Sequence, residues 1–284
     1  MHYLTHHRRN YVNVCTALLL SSITGQALAG AWTQQEGAIY NRTSINYFYS
    51  DTNFDGDGNK VAFADNGEFA DTNLTNYLEY GISDKLTAFT SVALKSIRSE
   101  NDLRKDETWG VGDIDIGLRQ QLFSASDSVF SVQGLIKVPE AYDEDELLPL
   151  GNGQYDAEIR FAYGLSLWKY FPGYTNIELG YRWRDKDPSD EVRYLFEIGS
   201  SLTDKTYTRL KFDGTLSREN GSTTDNSGNP TTTNNFDLLK LDWTVGYKVT
   251  QAWSVEAAWT PSITGENTAD GDTYTLAISY STPR

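Results

Sequence analysis

Apolar residues in this chain recur at every second position, and they do so in about a dozen separate segments. In residues 157–167, Ile159, Phe161, Tyr163, Leu165 and Leu167 alternate with Glu158, Arg160, Ala162, Gly164 and Ser166. In 177–184, Ile177, Leu179, Tyr181 and Trp183 alternate with Glu178, Gly180, Arg182 and Arg184. In 111–122, one parity holds Ile114, Ile116, Leu118 and Leu122, and the other holds Asp113, Asp115 and Arg119. A strand sends successive side chains to opposite faces, so each segment has one apolar and one charged face.

Twelve strands are expected, near 38–50, 70–83, 86–100, 111–123, 129–140, 156–168, 175–185, 191–202, 207–218, 236–249, 253–262 and 272–281. Their connections alternate in character. Tight ones fall at 83–85, 124–128, 170–174, 203–205 and 250–252, and longer polar ones near 51–67, 101–110, 141–154, 186–190, 219–235 and 263–271. Five short turns and six longer loops are what twelve antiparallel strands with both ends on one side require. Short turns opposite long loops are the pattern of an outer-membrane barrel.

A soluble β-barrel also alternates, but its apolar face turns inward and its charged face meets water. Aromatic residues argue for the membrane. Tyr80, Phe123, Trp168, Tyr207, Tyr247, Trp253 and Tyr280 gather beside the short turns, and Tyr47, Tyr49, Trp183, Tyr194, Trp259 and Tyr274 lie near the other strand ends. Two such belts are the girdles of a membrane barrel. No run of eighteen apolar residues follows the leader, so strands and not helices would cross the bilayer.

The leader itself reads as a secretory signal over residues 1–29: basic His6-His7-Arg8-Arg9, an apolar core around Ala17 to Leu20, and the small-x-small site Ala27-Leu28-Ala29. Residues 30–284 then form the barrel. Cleavage there would remove His2, His6, His7, Cys15 and Met1, leaving a chain without histidine, cysteine or methionine. It would leave 22 basic against 39 acidic residues, a net charge of −17, which repels nucleic acid. Catalysis through Ser/His, Cys/His or His-bound metal loses its imidazole, so an enzyme is not expected and no cofactor is implied. Asp51-x-Asn53-x-Asp55-Gly56-Asp57 resembles the start of a calcium loop, but the closing Glu is replaced by Ala62 or Ala64, so a solvated turn is the simpler reading. The acidic run Asp143 to Glu146 reads the same way, with divalent ions bridging such loops to lipopolysaccharide as a further use.

The charged parity would line the lumen. Its candidate residues are Asp113, Asp115, Arg119, Glu158, Arg160, Glu178, Arg182, Arg184, Arg193, Glu197 and Arg209, with Arg42, Glu79, Lys95, Lys137, Lys211, Asp213, Lys240, Asp242 and Glu256 on the same faces. Two readings stand for them: a lattice of ion pairs that fills the barrel, or a hydrated passage that filters solutes by charge. Arg160, Arg182, Arg184, Arg193 and Arg209 on four successive strands are either an anion contact or the positive half of that lattice. Gly81, Gly117, Gly164, Gly199 and Gly246 share the polar parity of five even-numbered strands, where relief of crowding on the concave wall is expected.

The stretches Gly30-Ala31-Trp32-Thr33-Gln34, Trp109 to Arg119, Gly151 to Arg160 and Glu178 to Arg184 resemble the outer-membrane barrels associated with the MetA-pathway of phenol degradation. That family is loosely related to FadL/TodX-type transporters. The resemblance implies a channel or transporter for small solutes, with aromatic or hydrophobic compounds as candidates. The alternative is an occluded structural barrel whose loops serve adhesion, matrix attachment or envelope integrity. FadL-type transporters carry an N-terminal plug, for which Gly30 to Gly37 leaves no room. The expected partners are outer-membrane lipids, lipopolysaccharide, a small solute and the barrel assembly machinery. The last strand, Tyr274 to Tyr280, resembles the terminal signal for insertion, although Ser281 to Arg284 trail beyond it.

Overall fold

The computed structural model describes residues 30–139, 141–142, 146, 148–186, 189–221 and 235–283. The signal over 1–29, Asp143 to Asp145 and most of the 219–235 loop lie outside the described residues. Twelve long strands run in chain order: β1 (Ile39–Phe54), β3 (Glu68–Ser83), β4 (Leu86–Glu100), β5 (Lys105–Ser124), β6 (Ser128–Val138), β7 (Asp156–Ser166), β8 (Gly173–Arg184), β9 (Glu191–Ser201), β10 (Thr206–Ser217), β11 (Asp237–Lys248), β12 (Trp253–Glu266) and β13 (Thr268–Ser281). A three-residue strand, β2 (Lys60–Ala62), pairs with the far end of β1. Each long strand is antiparallel to its neighbour in sequence, and β13 returns to β1 from Tyr40↔Ser281 to Phe54↔Thr268. The barrel is therefore closed and leaves no long edge for another chain to pair with.

Its surface is inside-out relative to a soluble barrel. Leu276 is 67% and Ile45 59% exposed on the outer wall, whereas Glu79 and Arg119 are 0% and 2% exposed on the inner one. Only a low-dielectric surround makes that arrangement favourable for the outer wall.

The largest departures from the expected bounds are extensions at the loop end, in β1, β5, β12 and β13, while β6 and β7 each end two residues short. β5 begins at Lys105, so the expected loop 101–110 shrinks to four residues. The expected long loop 263–271 is a strand hairpin that turns at Asn267, whose φ is 53°. Its residues, Thr264 to Gly271, carry no apolar alternation because beyond the bilayer no lipid selects an apolar outer face. One aromatic is also corrected: Tyr207 belongs to no girdle but points inward at 6% exposure, hydrogen-bonding Glu256 at 2.8 Å.

Candidate functional site

Both ends of the lumen are filled by parts of the chain itself. At the short-turn end, residues 30–37 run inside the barrel. The Ala31 amide donates to Asn176 Oδ1 (3.1 Å), and its carbonyl accepts from Ser131 Oγ. The Gln34 amide donates to Thr87 Oγ1 (2.8 Å), and its side-chain amide donates to Glu79 (2.6 Å). Arg119 donates to the Trp32 carbonyl (3.1 Å) and to Glu79 (2.9 Å), which fastens the segment to a buried ion pair. This overturns the expectation that no plug fits. Eight extended residues reach about 26 Å, enough to cross the lumen of a twelve-stranded barrel.

Glycine makes the room. A β-carbon on Gly164 would come within 2.5 Å of the Trp32 ring, and one on Gly81 within 1.8 Å of the Gln35 carbonyl oxygen. Phe89, Tyr174 and Tyr207 lie over Gly117, Gly199 and Gly246 in the same way. The concave wall at this end is thus floored by rings, and Trp32 meets Tyr174 edge-on at 5.8 Å. The expected relief of crowding holds, with aromatic rings and the N-terminal segment as the groups that crowd.

At the loop end, the connection between β6 and β7 folds inward. Leu148 and Leu150 are buried against Phe69 and Ile97, with Phe48, Phe63 and Tyr142 packed around them. Tyr142 donates to Asp113 (2.6 Å) and accepts from the Gly153 amide (2.8 Å). Lys95 and Lys137 donate to the Leu150 carbonyl and to Asn152 Oδ1, both at 3.1 Å. The loop 141–154 was expected to be external and polar. Its apolar Leu148-Pro149-Leu150, set in an acidic stretch, was the available sign that it turns inward.

Between these two fillings lies a lattice of ions. Lys137 bridges Asp113 (3.3 Å) and Asp156 (3.1 Å). Arg182 meets Glu158 at 2.8 Å and Asp156 at 3.7 Å, and Arg160 joins Glu158 (2.7 Å) to Glu178 (2.8 Å). Arg184 reaches Glu191 at 2.9 Å and Arg193 reaches it at 3.0 Å. Glu197 accepts from the Tyr174 hydroxyl at 2.6 Å. Arg209 approaches Glu256 at 3.5 Å, and Arg42 meets it at 2.9 Å. Asp115 stands in the same row, facing Arg182, Asp113 and Lys137. All eleven sequence candidates therefore turn inward, and Arg160, Arg182, Arg184, Arg193 and Arg209 each have a carboxylate within 4 Å. Asp156 and Glu191 were missed. Each sits two residues before a recognised inward charge, so extending the parity by one step would have found them. Direct contacts of this kind offset much of the cost of placing so many ions away from bulk water.

A family model described as "Putative MetA-pathway of phenol degradation" matches residues 29–278. The chain belongs to that family. Among solved structures, the COG4313 outer membrane channel from Pseudomonas putida F1 is similar at 14% identity and a TM-score of 0.72, covering 90% of this chain and 99% of that one. The NanC porin aligns at 8% identity and a TM-score of 0.52, over 84% and 98% of the two chains. A FadL homologue from Pseudomonas aeruginosa, at 8% identity over 86% and 90%, reaches only 0.45, too low to support an argument. No curated protein sequence matches. The first two likenesses establish the fold, a closed β-barrel of the kind those outer-membrane proteins have.

In this family member, one wall of the lumen differs from the rest. Asn46, Asn73, Thr75, Thr260, Thr273 and Thr275, from β1, β3, β12 and β13, are small, uncharged and partly exposed. Asn46 donates to Asn73 (2.7 Å) and accepts from Thr275 (2.8 Å), so these side chains hold one another flat against the wall.

Proposed function

We propose that the chain is a non-enzymatic outer-membrane channel that passes small solutes by a narrow route along the neutral wall of β12, β13, β1 and β3. The small side chains of that wall carry this reading: they face inward and are committed neither to the ion lattice nor to either filling. The route opens toward the loops, and residues 30–37 with their ring floor stand across its lower end. The family's description favours small aromatic compounds as solutes, and the partly exposed rings of Trp32 and Tyr174 at that floor can meet a planar guest. Export by cleavage after Ala29 would free the Gly30 amine inside the barrel, beside Asn176. Lipids and lipopolysaccharide would then surround the outer wall once the assembly machinery has inserted it.

The test is single-channel recording of the purified protein beside a form lacking residues 30–36. The full protein should show small conductance and the shortened form a severalfold larger one. Silence from both, with no solute flux in liposomes, would sink the channel.

The double filling also favours a second reading, a sealed barrel whose acidic loops act in adhesion, matrix attachment or envelope integrity. It requires that deleting 219–235 abolish a surface phenotype while assembly is kept.

A further inference from the structure

The ion lattice is incomplete at one place. On the β9–β11 side, Glu197, Lys211 and Asp242 stand at one level, and Leu195, Asp213 and Lys240 stand one row nearer the loops. Among the described residues Lys211 reaches one carboxylate within 4.0 Å, that of Asp242, at 3.9 Å. The Lys240 ammonium has no carboxylate within 4.0 Å and no hydrogen bond among the described residues. Asp213 lies among Lys211, Lys240, Arg193 and Arg160 and is within 4.0 Å of none of them. The Nε atoms of Arg193 and Arg209 are buried without an acceptor. Elsewhere in the lumen the cations hold carboxylates at 2.7–3.3 Å. Here four cations surround one carboxylate that touches none of them.

The backbone is irregular at the same point. β11 and β12 shift register between Leu239 and Lys240, leaving Lys240 opposite Ser262 and Ile263 as the extra residue. A bulge re-aims the side chains beside it, and bulges gather next to binding sites. Lys240 is partly exposed, so a solute in the lumen can reach it.

We infer that Lys240 and Lys211 form an anion subsite for a small solute bearing one carboxylate. A poorly partnered ammonium in a lumen of low dielectric is the group with most to gain from an incoming anion. Asp213 opposes that anion and sets its limit: one negative charge fits between the two lysines, and a more highly charged ligand meets repulsion. The inference deepens the channel reading and rests on it only for the solute's way in.

The test uses the purified full protein, with benzoate as probe and benzyl alcohol as its uncharged comparator, by isothermal titration calorimetry. Benzoate should bind and benzyl alcohol bind far more weakly. Lys240→Gln should weaken benzoate about tenfold, the scale of one charge-assisted hydrogen bond, and Asp213→Asn should tighten it. If Lys240→Gln does not assemble, Lys211→Gln reads the same site, and a heat-dependent gel shift reports assembly. Equal benzoate affinity in wild type and the lysine variants would overturn the subsite. In a salt gradient, the reversal potential of the conducting protein should move toward cation preference in Lys240→Gln. A conducting protein with unchanged selectivity and affinity removes the subsite and leaves the channel. A silent protein whose benzoate binding is lost in the variant removes the channel and leaves the subsite.

Discussion

The two sides of the lumen are both lined with opposite charges and reach opposite states. From β3 to β9, arginines and carboxylates meet in direct contact, and the N-terminal segment and the β6–β7 loop fasten onto them. Around β10 and β11, lysines and aspartates face one another at 3.9 Å or more. Guanidinium forks explain part of this. Arg160 and Arg182 each engage Glu158, and a planar fork presents more fixed donors to a carboxylate than a single ammonium does. The contrast separates a wall that holds the barrel shut from one with interaction left to offer.

The closed side should be the costlier to break. Glu79→Ala would leave Arg119 buried and unpaired and free the Gln34 amide, lowering unfolding free energy by about 3–5 kcal/mol. Urea unfolding in detergent measures this, and a loss below about 1 kcal/mol would show that lumen water already serves Arg119. Next in size, Gly164→Ala should expel Trp32, at about 1–3 kcal/mol for overpacking. A red-shifted tryptophan emission and a larger conductance are expected together; a larger conductance without the spectral shift would place the obstruction elsewhere. On the open side, Asp242→Asn should cost at most about 1 kcal/mol, because its contact with Lys211 is long and partly solvated. An effect equal to that of Glu79→Ala would erase the contrast between the two sides.

The smallest effect concerns pH, at the rim. Asp190 is disfavoured as an anion by burial, but the Arg184 amide, Asn220 and the Tyr181 hydroxyl donate to it and hold its pKa below the ordinary 3.8. A depressed carboxylate contributes stability that is complete above the unfolded value and lost as pH falls through the folded one. Protection of the Arg184 amide from hydrogen exchange, taken as the ratio of wild type to Asp190→Asn at each pH, should exceed one near neutrality. It should approach one below about pH 3–4. A ratio of one at neutral pH would show that Asp190 does not hold the loop.

Much of the barrel was legible in the chain. The alternation of Ile159, Phe161 and Tyr163 with Glu158 and Arg160 fixes which side each residue faces, because strand geometry has a period of two whatever surrounds it. Parity also gave the eleven inward charges. It could not say which of them touch, since that depends on cross-strand register and on the tilt of each strand. Arg193 and Arg209 looked alike in sequence, yet one lies at 3.0 Å from its carboxylate and the other at 3.5 Å. Tyr207 looked like a girdle residue because its place beside a turn is the same whether it points to lipid or to Glu256.

Local periodicity and turn length already dictate a closed antiparallel barrel with an apolar outer wall and a charged interior. The entry of residues 30–37 and the Leu148-Leu150 loop into the lumen, and the absence of a close carboxylate at Lys240 among the described residues, came from the closed fold. Those outcomes depend on what remains inside once twelve strands have closed, and a cavity enclosed by residues far apart in the chain leaves no trace in the periodicity of any one of them.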